Sequence, residues 1–147
     1  VLDELQIDAK IYTFDIIPNN KKIFWNCFAD HIFGKQTRFE LLKDYRNLLK
    51  NINFLTGQSF EQLNKLKLER INFAFIDGSH EYEDVKKDYL QISKKQTKDD
   101  LILFDDYTNN FFNGVVKLVD QVEKDKMYEV KRIISSDQRG YALARKL

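Results

Sequence analysis

The clearest hydrophobic pattern in the chain runs from Ile71 to Tyr107. Ile71–Ile76 is a short apolar run of β-branched and aromatic residues, which predicts a buried strand, and Asp77-Gly78 ends it. From Tyr82 the apolar residues recur at 82, 85, 89 and 92, one face of a helix, with Lys86, Lys87 and Lys94 turned elsewhere. Leu101–Phe104 is a second apolar strand, and it ends on Asp105-Asp106. A strand–helix–strand unit of this length closes as a right-handed crossover, so the strands lie parallel and both acidic ends emerge at one edge. Ligands bind at that edge in open α/β sheets. Topology thus brings Asp77, Asp105 and Asp106 together, although the first two are 28 residues apart.

The flanks extend the alternation. Val1–Leu5 reads as the last turn of a helix, and Ala9–Ile17 as a strand with Asp15 near its end and Pro18-Asn19-Asn20 stopping it. Phe24, Trp25, Phe28, Ile32 and Phe33 predict a short helix packed by aromatics. Apolar positions 41, 42, 45, 48 and 49 predict a longer one, with Thr37 as N-cap and Glu40 three residues on. Asn51–Leu55 reads as a strand, and the turn Thr56–Ser59 leads into a helix over Phe60–Leu68. Phe112, Val115, Val116, Val119 and Val122 mark a last helix, and Met127–Ile134 with Gly140–Lys146 form a hairpin around Ser135–Arg139. The class is α/β with a mostly parallel sheet and a C-terminal antiparallel hairpin, in one domain over residues 1–147.

Composition narrows the function. The 147 residues suffice for one domain with a real core. Aromatics at 14% predict a core rich in Phe and Tyr. A net charge of +1 gives no electrostatic reason to expect nucleic acid or a membrane surface as partner. The lone Cys27 excludes an internal disulfide framework and fits a cytoplasmic location. No apolar run approaches the ~20 residues that span a bilayer. A homo-oligomer stays open, since a sheet edge or the aromatic patch could support one.

Read together, strand-Asp15, Gly57-Gln58-Ser59, FIDGSHEY, LILFDDY, NGVVKLVDQV and RGYALARK resemble successive landmarks of class I S-adenosylmethionine-dependent methyltransferases. The nearest branch is that of the metal-dependent O-methyltransferases, with catechol O-methyltransferase-like enzymes and macrolide or aminocoumarin sugar O-methyltransferases. A cephalosporin-hydroxylase-like group is related. The resemblance implies a Rossmann-like fold, S-adenosyl-L-methionine as cofactor, Mg²⁺ or another divalent cation, and a hydroxylated small-molecule acceptor such as a sugar. It assigns Asp15 to the cofactor ribose and Gln58 and Ser59 to the adenine. Asp77, Asp105 and Asp106 become metal ligands, with Asp77 also counted among the cofactor-binding and catalytic residues. Carboxylates suit the task, because Mg²⁺ prefers hard oxygen ligands and keeps positions open for water or substrate. His80 stands where catechol-type enzymes carry a lysine base, and an imidazole with an ordinary pKa near ~6.5 can take a proton at neutral pH.

Residue chemistry alone keeps second readings open. Asp77 before Gly78 also suits a turn, Asp105-Asp106 a solvated strand end, His80 a helix N-terminal residue and Asp15 a loop carboxylate. His31 reads as a packing or surface residue, Cys27 as a small buried one, and Lys94–Asp100 as a solvated charged turn. Phe24, Trp25 and Phe28 fit either core or a lid over the cofactor.

One family landmark is absent. The first strand and its glycine-rich turn should precede Val1, and the glycines at 34, 57, 78, 114 and 140 make no G-x-G pattern. The expectation is therefore an N-terminally incomplete domain, poorly stable and inactive alone, cut from an O-methyltransferase. A cephalosporin-hydroxylase-like enzyme and a non-catalytic binding module on the same scaffold are the alternatives.

Overall fold

A computed structural model describes residues 9–108, 111–134 and 140–147. The helix expected at Val1–Leu5 and the turn expected at Ser135–Arg139 lie outside the described residues. The chain divides into two compact units, residues 1–62 and 63–147.

In the first unit, β1 (Ile11–Asp15) pairs in parallel with β2 (Ile52–Thr56), from Ile11↔Ile52 to Asp15↔Thr56. The crossover carries three short helices: α1 (Phe28–Phe33), α2 (Arg38–Leu41) and α3 (Arg46–Leu49). Thr37 caps α2 as its sequence predicts. Its hydroxyl accepts the Glu40 N–H at 3.2 Å, and the Glu40 carboxylate accepts the Thr37 N–H at 2.8 Å.

The single helix expected from positions 41 to 49 is broken by a 3-10 turn at Lys43–Tyr45. Leu42 and Tyr45 leave helical geometry, and none of α2, α3 or the turn between them holds a buried residue. A helical stripe that reaches no core has no packing to keep it regular. The aromatics of the crossover are likewise not core: Phe24, Phe28, Ile32 and Phe33 are exposed, Phe28 at 78%. Cys27 is only partly buried. After β2, α4 (Ser59–Lys65) follows.

The second unit is a mixed sheet in the order β3-β4-β6-β5, built from Phe73–Ile76, Leu101–Phe104, Gly140–Lys146 and Tyr128–Ile134. β3 and β4 run parallel, joined by α5 (Tyr82–Ser93) as expected. β6 lies antiparallel between β4 and β5. α6 (Asn113–Lys124) precedes β5. Val85, Tyr89 and Ile92 of α5 and Val115, Leu118, Val119 and Val122 of α6 are buried, the faces their periodicity marks. Tyr89 meets Phe104 and Tyr128 of the sheet, with ring centroids 6.5 and 5.9 Å away.

Among the described residues the core is mainly aliphatic with three tyrosines, and Phe104 is its one phenylalanine. The Phe-rich core read from composition is thus corrected. Phe73 and Phe75 alternate onto the other face of β3 and stay exposed. The turn at Lys94–Asp100 is solvated only in part: Lys94, Thr97, Lys98 and Asp99 are exposed, whereas Gln96 and Asp100 are buried. Asp100 is 3% exposed, takes a two-pronged contact from Arg70 and accepts the Thr97 N–H at 2.7 Å. Gln96 is buried with it and accepts the Tyr128 hydroxyl proton at 2.8 Å.

Candidate active site at the acidic strand ends

Asp77 directly follows β3, and Asp105 and Asp106 directly follow β4, so the parallel pairing of these strands sets the three side by side. The Asp105 N–H donates to the Ile76 carbonyl at 3.0 Å, extending the ladder to the edge of the site. Asp106 then takes a left-handed conformation (φ 52), which aspartate tolerates better than most residues. Its N–H donates to Asp105 Oδ1 at 2.7 Å. Beyond it, the Tyr107 N–H donates to the Gly140 carbonyl at 2.8 Å, and Arg132 Nε donates to the Tyr107 hydroxyl at 2.7 Å. Gly140 lies so close to the Tyr107 carbonyl that a Cβ would overlap it. The sharp turn is thereby held by β6 and β5.

On the β3 side, His80 comes over the same edge from the turn before α5. Asp77, His80 and Asp106 each offer a ligand atom, all within 4.8 Å of one another. His80 Nε2 is 2.8 Å from Asp106 Oδ2, but without the alignment of a hydrogen bond, so this buried nitrogen has no hydrogen-bond partner among the described residues. The Asp77 carboxyl is held above its ordinary range, first by partial burial, then by the adjacent Asp105 and Asp106 carboxylates; His80 works the other way. The crowded Asp77 and Asp106 carboxylates are hard oxygen donors that a divalent cation fits, and the His80 imidazole lies beside them.

Asp105 contacts Asp77 but lies outside this three-residue group, its Oδ1 occupied by the Asp106 N–H. His80 takes the third place instead. A cavity of about 490 Å³ opens beside it, lined by Ser79, His80, Glu81, Phe111, Phe112, Asn113 and Gly114.

The residues expected to meet the cofactor lie in the first unit. Asp15 closes β1, where its Oδ2 accepts from Arg38 at 2.6 Å and its Oδ1 accepts the Ile17 N–H at 2.9 Å. The Arg38 guanidinium also lies over the rings of Trp25 and Phe54, 5.2 and 5.5 Å from their centroids. Gln58 is exposed before α4, and Ser59 begins that helix. Sequence reasoning missed Arg38, Phe112 and Gly114. Gly114 alone carried a signal, since a glycine inside a helical pattern marks a close approach.

Residues 2–107 match the sequence model of a methyltransferase domain. No curated protein sequence matches the chain significantly. Among solved structures it is similar to the O-methyltransferase TomG from Streptomyces achromogenes, at TM-score 0.65 and 12% identity, over 95% of this chain and 63% of that one. The O-methyltransferase NovP matches at TM-score 0.66 and 18% identity, over 99% and 64%. A TDP-rhamnose 3'-O-methyltransferase of calicheamicin biosynthesis matches at 0.60 and 16%, over 92% and 58%. The chain thus spans roughly three-fifths of the length of these proteins, and at such identities the likeness is one of fold: α/β and Rossmann-like, with parallel strands and C-terminal antiparallel ones. With the family's sequence pattern running through both acidic strand ends, the chain belongs to the methyltransferase-domain family.

Proposed function

We propose that the chain carries the metal and acceptor site of an S-adenosylmethionine-dependent O-methyltransferase acting on a hydroxylated small molecule. The observation that carries this reading is the convergence of Asp77, His80 and Asp106 at the ends of β3 and β4, with His80 Nε2 2.8 Å from Asp106 Oδ2. Family membership supports the methyl donor, as does the solution of TomG in complex with S-adenosylmethionine.

In this reading Asp77 and Asp106 would hold a divalent cation, with Asp105 beside Asp77. When bound, that cation would supply a Lewis acid that acidifies and orients an acceptor hydroxyl. His80 accepts the hydroxyl proton at Nε2. S-adenosylmethionine, when bound, would supply the methyl group to the acceptor oxygen, the O–CH₃ bond forming as the S–CH₃ bond breaks and S-adenosylhomocysteine leaving. Asp15 would receive the ribose hydroxyls, and it keeps acceptor capacity beyond its contacts with Arg38 and Ile17. Gln58 and Ser59 would border the adenine. Most of the protein's contribution is orientation, since the methyl donor is already activated.

The test is calorimetric titration of S-adenosylhomocysteine with Mg²⁺ and then with chelator, beside a methyl-transfer assay on a panel of sugars and phenols. Transfer that chelator abolishes and that Asp106→Asn lowers at least about 10²-fold is expected. Transfer undiminished by chelator overturns the metal role, and no binding of S-adenosylhomocysteine overturns the methyltransferase reading.

A further inference from the structure

The first turn of α6 lies against the His80 segment more closely than helix packing requires. The Phe112 ring stacks on the His80 imidazole, with centroids 3.9 Å apart and planes 30° from parallel. Two residues on, Gly114 meets the backbone of the same segment: a Cβ there would sit 2.5 Å from the Tyr82 amide nitrogen and 2.9 Å from the Glu81 carbonyl carbon, and would overlap the His80 carbonyl oxygen. Further along, the Tyr82 hydroxyl donates to Gln121 Oε1 at 2.6 Å, so α6 grips the start of α5 at two levels. Besides this, His80 Nε2 lies 2.8 Å from Asp106 Oδ2, without a hydrogen-bond partner among the described residues. One edge of its ring thus meets Asp106, while the plane of the ring is set from α6, by the stacked Phe112 and by the approach that only glycine permits.

We infer that Phe112 and Gly114 are positioning residues for His80. Phe112 fixes the plane of the imidazole so that Nε2 faces Asp77 and Asp106, and Gly114 lets α6 come near enough for that stack. Phe112 and His80 both line the cavity, so the pair also presents one ordered wall to an acceptor. The inference rests on the proposed role of His80 as proton acceptor, and it adds that this role is controlled from a helix distant in sequence.

The chain holds two histidines, so the His80 ring protons can be assigned by NMR with His31→Gln as reference. In the unaltered chain these signals should be displaced by the Phe112 ring and broadened by Mn²⁺. Phe112→Ala should return them to the position of a free imidazole and weaken the broadening. With it, kcat should fall about 10²-fold, the cost of a misplaced reacting group, at unchanged KM for S-adenosylmethionine. Phe112→Tyr should restore both signals and kcat, and Gly114→Ala should displace the same signals with Phe112 intact. Unchanged His80 signals in Phe112→Ala overturn the inference, as does a loss of kcat and KM together that only tracks a lower Tm. If no acceptor is methylated while the His80 signals still depend on Phe112, the reading of function fails and the positioning stands.

Discussion

Two aspartates show how differently one residue type behaves in this chain. Asp77 is crowded by like charge, and its carboxyl is held above the usual range by partial burial, then by Asp105 and Asp106. A raised folded pKa contributes stability at pH below the ordinary value of 3.8 and loses it as pH rises through the folded value. Asp77→Asn should therefore raise the Tm of the metal-free chain at neutral pH, by an amount that shrinks toward pH 4, while weakening Mn²⁺ binding in a titration followed by electron paramagnetic resonance. Asp100 is the reverse case. Its hydrogen bonds with Arg70 hold the carboxyl below 3.8, aided by the Thr97 N–H and hydroxyl. That stability is present above the ordinary value and lost as pH falls through the folded one. Asp100→Asn should cost about 1–3 kcal/mol at pH 7 in urea unfolding, with solvent at the half-exposed Arg70 favouring the lower end, and the difference should close in acid.

At the scale of elements, the strand ends are held by their neighbours more than by their own sequence. The left-handed Asp106 is followed by Tyr107, whose carbonyl lies against Gly140 at the start of β6. Gly140→Ala should force β6 and the β4 turn apart, costing about 1–3 kcal/mol and moving Asp106 away from His80. A lowered Tm with a parallel loss of Mn²⁺ affinity is the expected result; an unchanged affinity would mean that the turn holds itself. The elements most legible in the sequence were α5 and α6, whose apolar stripes meet a sheet. The stripe at 41–49 was as regular, yet it broke into pieces because no core receives it.

The molecule as a whole is unevenly packed. Every buried apolar side chain among the described residues belongs to the second unit, from Leu63 to Ala144. The first unit rests on the β1–β2 ladder, the Thr37 capping box and the Asp15–Arg38 ion pair. Hydrogen exchange should accordingly be at least about tenfold faster for the amides of β1 and β2 than for those of β4 and β6, since opening follows the local density of buried contacts. Equal protection would show that the first unit draws stability from a source other than its own apolar burial.

Local patterning determined the element order, the parallel β3–α5–β4 crossover and the placing of Asp77, Asp105 and Asp106 at one sheet edge. Those features follow from periodicities of two and 3.6 residues and from the handedness of the crossover, which any stretch of sequence carries within itself. Tertiary structure alone decided that His80 rather than Asp105 joins Asp77 and Asp106, that Arg38 meets Asp15, that Asp100 is buried, and that Phe112 stacks on His80. Each of these depends on side chains from segments that meet only once the sheet and its helices are packed, and side-chain direction at such meetings leaves no periodic trace in the sequence.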